Sequence, residues 1–127
     1  MTTPILATYQ ALEPIVMPLD TSETVIVPGA KKVWNKELDA ITISNVTGSA
    51  ATFSIYLHEV GVAGAVGNAV AVDVDIAANT IYQLPIGPLR LPPNWELTGL
   101  CSSGDAVNVM VTGRFLPNVP DRLKASI

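Results

Sequence analysis

The chain has 127 residues, enough for one domain with its own hydrophobic core. Charged residues make up only 14%, against about 25% in an average globular protein, so we expect partners or further copies to cover part of the exterior. The net charge is −4, and Lys31 and Lys32 are the only adjacent cations. Nucleic-acid binding needs clustered Lys and Arg, so no nucleic-acid partner is expected.

The first 22 residues, MTTPILATYQALEPIVMPLDTS, combine apolar side chains with Pro4, Pro14 and Pro18. Proline holds the backbone extended, so this stretch predicts an extended arm over residues 1–22 that lies on a neighbouring subunit. An edge strand of the chain's own sandwich is the alternative. On the first interpretation the apolar side chains contact a partner, and the predicted contact residues are Ile5, Leu6, Tyr9, Leu12, Ile15, Val16 and Met17.

No segment suggests export or membrane insertion. The N-terminus lacks the positively charged start of a signal peptide, and prolines interrupt its apolar run. Nowhere does the sequence have the ~18 to 20 uninterrupted apolar residues of a membrane-spanning helix. We therefore expect synthesis in a cytoplasm and no membrane partner.

From residue 23 onward, apolar and polar residues alternate with a period of two, which indicates β-strands with one buried face. The strands are predicted in SETVIV, ELDAITISN, ATFSIYLH, AVAVDVDI, TIYQLP, NWELTGLC and DAVNVMVTGRF, separated by turn sequences such as NVTGSA and SSGD. The glycine-rich EVGVAGAVGN lacks the lysine and the following helix of a phosphate-binding loop, so it predicts a long flexible hairpin loop.

This pattern predicts an all-β protein: a single antiparallel β-sandwich, jelly-roll-like or another Greek key, with about seven to eight strands over residues 23–116. A closed barrel is the alternative, but ten prolines favour two sheets with protected edges. Residues 117–127 form a predicted C-terminal tail. The alternation predicts these core residues: Ile41, Ile43, Phe53, Ile55, Leu57, Val70, Val72, Val74, Val107, Val109 and Val111.

Reactive side chains are few and scattered. His58 is the single histidine, and its neighbour Glu59 points to the opposite face of a strand, so we interpret His58 as a surface or interface residue. Asp73 and Asp75 share a strand face, about 7 Å apart, but lack the further oxygen ligands of a calcium site. The single cysteine, Cys101, excludes an internal disulfide and is interpreted as a small half-buried hydrophobe.

The sequence therefore predicts no enzyme, no catalytic residues, no metal site and no cofactor. The triplet NVT at Asn45 fits a glycosylation site, but without a secretion route we interpret it as chance. Five aromatic residues could together form a sugar-binding platform, yet they lie in different segments, so core and subunit-contact roles are favoured. They are Tyr9, Trp34, Tyr56, Tyr82 and Trp95.

The ordered series SNVTGSAATFSIYL, DVDIAAN, LPIGPLRL and SSGDAVNVMVTGRF resembles a recurring type of small β-sandwich protein in tailed-bacteriophage virions. The resemblance spans residues 39 to 115, and residues 1–18 have no counterpart in it. It implies a structural protein of the virion, foremost a capsid decoration (cement) protein that stabilises the head by protein contacts. A tail, baseplate or fibre component that binds a receptor or a carbohydrate is the alternative.

The implied place of such a protein is the virion, after synthesis in the host cytoplasm. Its implied partner is the major capsid protein or another virion protein. A homo-oligomer, with a trimer favoured, is also expected, because further copies could cover the apolar residues of the arm.

Overall fold

The computed structural model describes residues 10–29, 34–86 and 88–117. Within these ranges the chain forms strands joined by loops, with one 3-10 turn at Val66–Asn68, and the all-β prediction is confirmed. In these same ranges no helix is long and apolar enough to cross a membrane. The strands are β1 (Gln10–Pro18), β2 (Thr24–Val27), β3 (Trp34–Asn45), β4 (Ala51–Glu59), β5 (Ala69–Ile76), β6 (Thr80–Gln83), β7 (Leu89–Leu91), β8 (Trp95–Cys101) and β9 (Val107–Pro117).

The strands form two antiparallel sheets. The five-stranded sheet has the order β1-β9-β3-β6, and β7 also pairs with β3. Because β6 pairs with residues 42–45 of β3 and β7 with residues 36–38, the two short strands together line one edge of β3. The four-stranded sheet has the order β2-β8-β4-β5.

The pairing order is that of a jelly roll. The short strands β6 and β7 count here as one interrupted strand. The first strand, β1, pairs with the last, β9, and the second strand, β2, pairs with the last but one, β8. Strand β3 pairs with β6 and β7, and strand β4 pairs with β5. A long antiparallel hairpin rolled over on itself has this order. The predicted sandwich is confirmed, and of its two predicted forms the strands adopt the jelly roll.

The inward faces of the two sheets form one hydrophobic core. Most of the predicted core positions are fully buried: Ile41, Ile43, Phe53, Ile55, Val107, Val109 and Val111. Three are half-buried and pack against that core: Leu57, Val70 and Val74. Alternation found these positions because successive side chains of a strand point to opposite faces of the sheet.

Val72 does not lie in the core, and this prediction is wrong. Phe53 pairs with Val74 and Ile55 with Ala71, so two residues of β5 stand opposite one residue of β4. Such a β-bulge shifts the alternation by one position. The backbone of Asp73 adopts a left-handed φ of 45° at the bulge, and Val72 is consequently 41% exposed.

Residues 10–18 form the edge strand β1 and not a free arm. They pair with β9 from Pro18 opposite Asn108 to Gln10 opposite Phe115. Beyond the strand, Leu19 is fully buried. The arm prediction is corrected for these residues, because backbone pairing with β9 and burial of apolar side chains tie them to the sandwich. Residues 1–9 and the predicted tail from residue 118 lie outside the described residues.

Candidate assembly surfaces and a buried histidine cluster

The edges of both sheets carry features that oppose pairing with another strand. β1 contains Pro14 and Pro18, and its register with β9 is irregular beside Pro14. At the far edge, the segment between β6 and β7 contains Pro85 and Pro88. In the other sheet, β5 is bulged at Asp73 and β2 has only four residues. Prolines, bulges and short edge strands prevent edge-to-edge association, so contacts with other chains are expected through faces and loops.

The outward face of the five-stranded sheet has an area without charged side chains. Two cross-strand rows form it, each with one residue from β1, β9, β3 and β6. We call these residues the uncharged face: Val16, Met110, Thr42 and Gln83 in one row, and Pro18, Asn108, Ser44 and Ile81 in the other. Its three large apolar side chains are exposed to water. An exposed area of this composition suits contact with another protein.

Four charged side chains of the same sheet lie at its other end, where they pair with one another. The Arg114 guanidinium lies 3.2 Å from Glu37 Oε1 and 3.1 Å from Asp39 Oδ1. A guanidinium nitrogen of Arg90 lies 3.7 Å from Glu37 Oε2. Because two acidic and two basic side chains pair there, this cluster adds no strong net field at the uncharged face.

The predicted partner-contact residues fall into three groups. Three lie outside the described residues: Ile5, Leu6 and Tyr9. Three are half-buried and pack against the chain's own core: Leu12, Ile15 and Met17. Val16 points outward on the uncharged face. Part of this predicted set therefore serves the sandwich itself, and contact with a partner stays a prediction.

His58 lies on the outward face of the four-stranded sheet, yet its side chain is only 3% exposed. Of the two predicted positions, surface or interface, the surface position is wrong, because residues distant in sequence cover the ring, and the interface position stays a prediction. Glu23, just before β2, places Oε2 2.8 Å from Nε2 of His58 and accepts a 2.5 Å hydrogen bond from Thr98 Oγ1. The backbone N–H of Gly64, in the loop after β4, donates to the same carboxylate. No local sequence signal marks Glu23 and Thr98, since 35 and 40 residues separate them from His58.

Both ring nitrogens of His58 face hydrogen-bond acceptors. Nδ1 lies 2.9 Å from the carbonyl oxygen of Glu59, and Nε2 faces the Glu23 carboxylate. Only the doubly protonated imidazolium can donate from both nitrogens. The geometry therefore favours the charged form of His58, and the second carboxylate, Glu96, lies 3.7 Å from Nδ1.

The pKa values of His58 and Glu23 shift in opposite directions. Burial alone would lower the pKa of His58, but its hydrogen bonds to the Glu59 carbonyl and Glu23, with the charges of Glu23 and Glu96, raise it above the ordinary histidine value. Burial alone would raise the pKa of Glu23. Hydrogen bonds from Thr98 and the loop backbone, and the charge of His58, lower it below the ordinary glutamate value.

The free energy of unfolding is expected to be greatest between about pH 4.3 and 6.5, the ordinary values of Glu and His. His58 stabilises the fold fully below its unfolded pKa, and this contribution is lost as pH rises through the raised folded pKa. Glu23 contributes above its unfolded pKa, and its contribution is lost as pH falls through the lowered folded pKa. Urea unfolding at a series of pH values checks this window.

His58→Gln is the matched variant for this measurement. His58 is the only histidine of the chain, so the variant is expected to lose the fall in stability between pH 6.5 and 8, which for one proton is at most about 1.4 kcal/mol per pH unit. An unchanged slope in His58→Gln would show that another group titrates in this range.

The cluster contains the side-chain types of a catalytic triad, but it is arranged as a structural link. The Thr98 hydroxyl donates to Glu23, and both Thr98 and His58 are buried, so a substrate has no access to either in this structure. Glu96 is too far from Nδ1 for a hydrogen bond. The cluster instead joins β4, β8 and the loop before β2 to the loop that follows β4.

The other polar candidates from the sequence lie apart from this cluster. Asp73 and Asp75 are exposed on β5, and in the described ranges no three His, Cys, Asp or Glu side chains could share a metal ion. Cys101 is fully and not half buried, with Sγ 3.0 Å from the Ser103 carbonyl oxygen. The Asn45 amide of the NVT triplet is buried and donates to backbone carbonyls, so it is not accessible for glycosylation.

The described aromatic residues do not form one sugar-binding platform. Tyr82, on β6, packs against the core, with its ring centroid 5.7 Å from that of a core phenylalanine. Tyr56 lies on the four-stranded sheet beneath the loop after β4, and Trp95 is half-buried on β8. Tyr9 and the side chain of Trp34 lie outside the described structure.

No family model and no curated protein sequence matches the chain. Solved structures with a similar fold include a chain of Bacillus endospore appendages, which form a family of disulfide-linked pili. Its TM-score is 0.51, with 11% identity over 94% of this chain and 100% of that chain. The T13 particle of infectious bursal disease virus has a TM-score of 0.49, with 11% identity over 85% of this chain and 30% of that chain. The Tobacco streak virus coat protein dimer has a TM-score of 0.46, with 9% identity over 93% and 92%.

At these identities the appendage chain shares a fold with this protein, and the likeness extends no further. This chain corresponds to less than a third of the length of the infectious bursal disease virus chain. The appendage chain is matched along its whole length.

Proposed function

We propose that the protein is a structural subunit of a virion, a decoration (cement) protein on the head of a tailed bacteriophage, which acts through contacts with other proteins. The uncharged face carries this proposal: it is exposed, partly apolar and lies on a sandwich whose edges oppose strand pairing. In this proposal the uncharged face binds the major capsid protein or another virion protein, without a cofactor and without catalysis. The protein is made in the host cytoplasm and is then incorporated into the virion.

Two further observations support this role. The order of strand and turn segments between residues 39 and 115 resembles that of phage virion proteins. The chain has few charges, as expected of a protein whose surface is largely covered after assembly. In this protein the single cysteine is buried, so we propose that its contacts are non-covalent.

The protein also forms a homo-oligomer in this proposal, with a trimer favoured. The alternative role, a receptor- or carbohydrate-binding module of a tail or fibre, has no comparable support. Of the aromatic side chains predicted for such a platform, the three that the structure describes, Tyr56, Tyr82 and Trp95, are spread over both sheets and are half-buried.

Ile81→Asp is expected to weaken binding to phage particles that lack this protein by at least about tenfold, because a contact there would have to desolvate the new carboxylate. Ile81 is exposed in the uncharged face, so the variant should fold as the wild type does. Co-sedimentation with the particles measures binding. Val46→Asp is the matched control, since Val46 is an exposed valine in the turn after β3 and does not belong to the uncharged face.

Two results would count against the proposal. Wild-type protein that does not bind the particles would overturn the decoration role itself. Folded Ile81→Asp and Met110→Asp variants that bind like the wild type would show that the virion contact lies elsewhere than the uncharged face.

A further inference from the structure

The loop between β4 and β5 presents an unusual surface. Residues 60–67, VGVAGAVG, contain only glycine, alanine and valine, although nearly all of them are exposed. Loops in water normally carry polar side chains. Val66 is 80% exposed, and Val60 and Val62 are also among the large exposed hydrophobic residues. These valines add nothing to the chain's own core, so they are available to a partner. We call residues 60–67 the valine loop.

The sequence predicts a flexible loop here, but hydrogen bonds tie the valine loop to the sandwich and to itself. The Asn68 side chain accepts from the N–H of Ala65 and donates to the carbonyl of Ala63. The N–H of Val60 donates to the carbonyl of Asn94, and Gly64 is tied to the carboxylate of Glu23. A surface that is already ordered loses less conformational entropy when it binds, so this loop is prepared for a contact.

At Gly64 the backbone of the valine loop packs against the sheet. A Cβ atom at Gly64 would lie 2.6 Å from Cδ2 of Tyr56, so the loop backbone lies directly against the tyrosine ring. Glu23 bonds the same glycine and links it to His58. The histidine cluster therefore has a clear structural consequence: it fixes the loop and leaves its valines facing outward.

The segment before β1 is apolar, like the valine loop, and it joins the sandwich at the same end as that loop. Gln10 pairs with Phe115 at that end of the five-stranded sheet, where Lys36 also donates to the Pro28 carbonyl. Next to Pro28, Gly29 lies against the side chain of Val60. Residues 1–9, MTTPILATY, have no charged side chain and include Ile5, Leu6 and Tyr9.

The segment before Gln10 is long enough to reach a neighbouring molecule. Nine extended residues span up to about 30 Å, three times the spacing of about 10 Å between two packed sheets. β1 runs from Gln10 into the sandwich, so residues 1–9 join it at the end where the valine loop lies.

We infer that residues 1–9 of one copy bind the valine loop of a second copy. This inference rests on the proposed role in assembly and names the surfaces that join one copy to the next. The two surfaces of this contact differ, since a segment of one copy meets a loop of the next. Such contacts close into a ring, such as the favoured trimer, or continue as a chain.

Two variants, each of which removes a different side of the contact, test it. A deletion of residues 1–9 keeps the valine loop, whereas Val66→Asp keeps the segment. Each variant alone is expected to lose self-association in sedimentation velocity at concentrations where the wild type associates, with at least about a tenfold change in the half-association concentration. Mixed together, they are expected to form a dimer with one copy of each, because one complete contact is then available.

The control is Val46→Asp, which also adds a carboxylate at an exposed valine but at the opposite end of the sandwich. It is expected to keep the wild-type oligomer. Val62→Asp repeats the test if Val66→Asp does not fold as judged by circular dichroism. The deletion stops at residue 9 because β1 begins at Gln10.

Two outcomes overturn the inference: a wild-type protein that is monomeric, or variants that fold but form no mixed dimer. Variants that fold but form no mixed dimer are also the result expected if residues 1–9 bind the valine loop of their own chain. Neither outcome is evidence against the proposed virion contact, because the particle-binding assay tests that contact separately at the uncharged face. Conversely, a mixed dimer together with failed particle binding would support the copy-to-copy contact and reject the decoration role.

Discussion

Phe53→Ala is expected to lower the free energy of unfolding by roughly 3 to 5 kcal/mol, the usual cost of truncating a buried phenylalanine. Phe53 is fully buried at the centre of the four-stranded sheet, paired with Cys101 on one side and Val74 on the other. Its ring also packs against Tyr82 of the opposite sheet, at 5.7 Å and an interplanar angle of 52°. The substitution therefore removes a contact between the two layers of the sandwich as well as buried area.

Urea unfolding measures this loss, and Ile81→Ala is its control. Ile81 lies beside Tyr82 on β6 but is exposed, so its truncation should change stability by no more than about 0.5 kcal/mol in the monomer. Domains of this size have a free energy of unfolding of about 5 to 15 kcal/mol, so Phe53→Ala should lose a large part of it. The variant should therefore unfold at a lower temperature than the wild type. A loss below about 1 kcal/mol would mean that the ring does not fill the core.

Gly113→Ala is expected to cost about 3 kcal/mol, at the upper end of the usual range for overpacking. Gly113 lies in β9 where the register with both neighbouring strands is irregular. A Cβ atom there would lie 2.2 Å from the carbonyl oxygen of Glu37 and 3.0 Å from Cα of Leu38. These are backbone atoms of β3, so no side-chain rotation can relieve the clash and the two central strands must separate.

Gly48→Ala is the matched control for this substitution. Gly48 lies in the turn between β3 and β4, and a Cβ atom there would meet nothing within 4 Å. Alanine should be neutral or should stabilise by about 0.4 to 1 kcal/mol, because it restricts the unfolded chain. If Gly113→Ala and Gly48→Ala have the same midpoint in urea, the close approach of β9 to β3 is not a constraint on this fold.

The pattern of alternation determined the fold class and most of the core. Ile41 and Ile43, Phe53 and Ile55, and the three valines of β9 follow a period of two, and each pair or triplet faces inward. This inference succeeded because alternation depends on backbone geometry within one strand and needs no knowledge of its neighbours. The low charge and the absence of basic clusters likewise follow from composition alone, so they already disfavoured nucleic-acid binding.

Only the tertiary structure decided the features that depend on distant partners. A proline-rich apolar stretch fits both an arm and an edge strand, and β9, about ninety residues further on, makes it an edge strand over residues 10–18. The bulge at Asp73 depends on the register with β4, so alternation misplaced Val72. His58 is buried because Glu23, Thr98 and Gly64 meet around it from three other segments. Pairing, register and burial of this kind arise from contacts between segments far apart in the chain, and no local pattern records them.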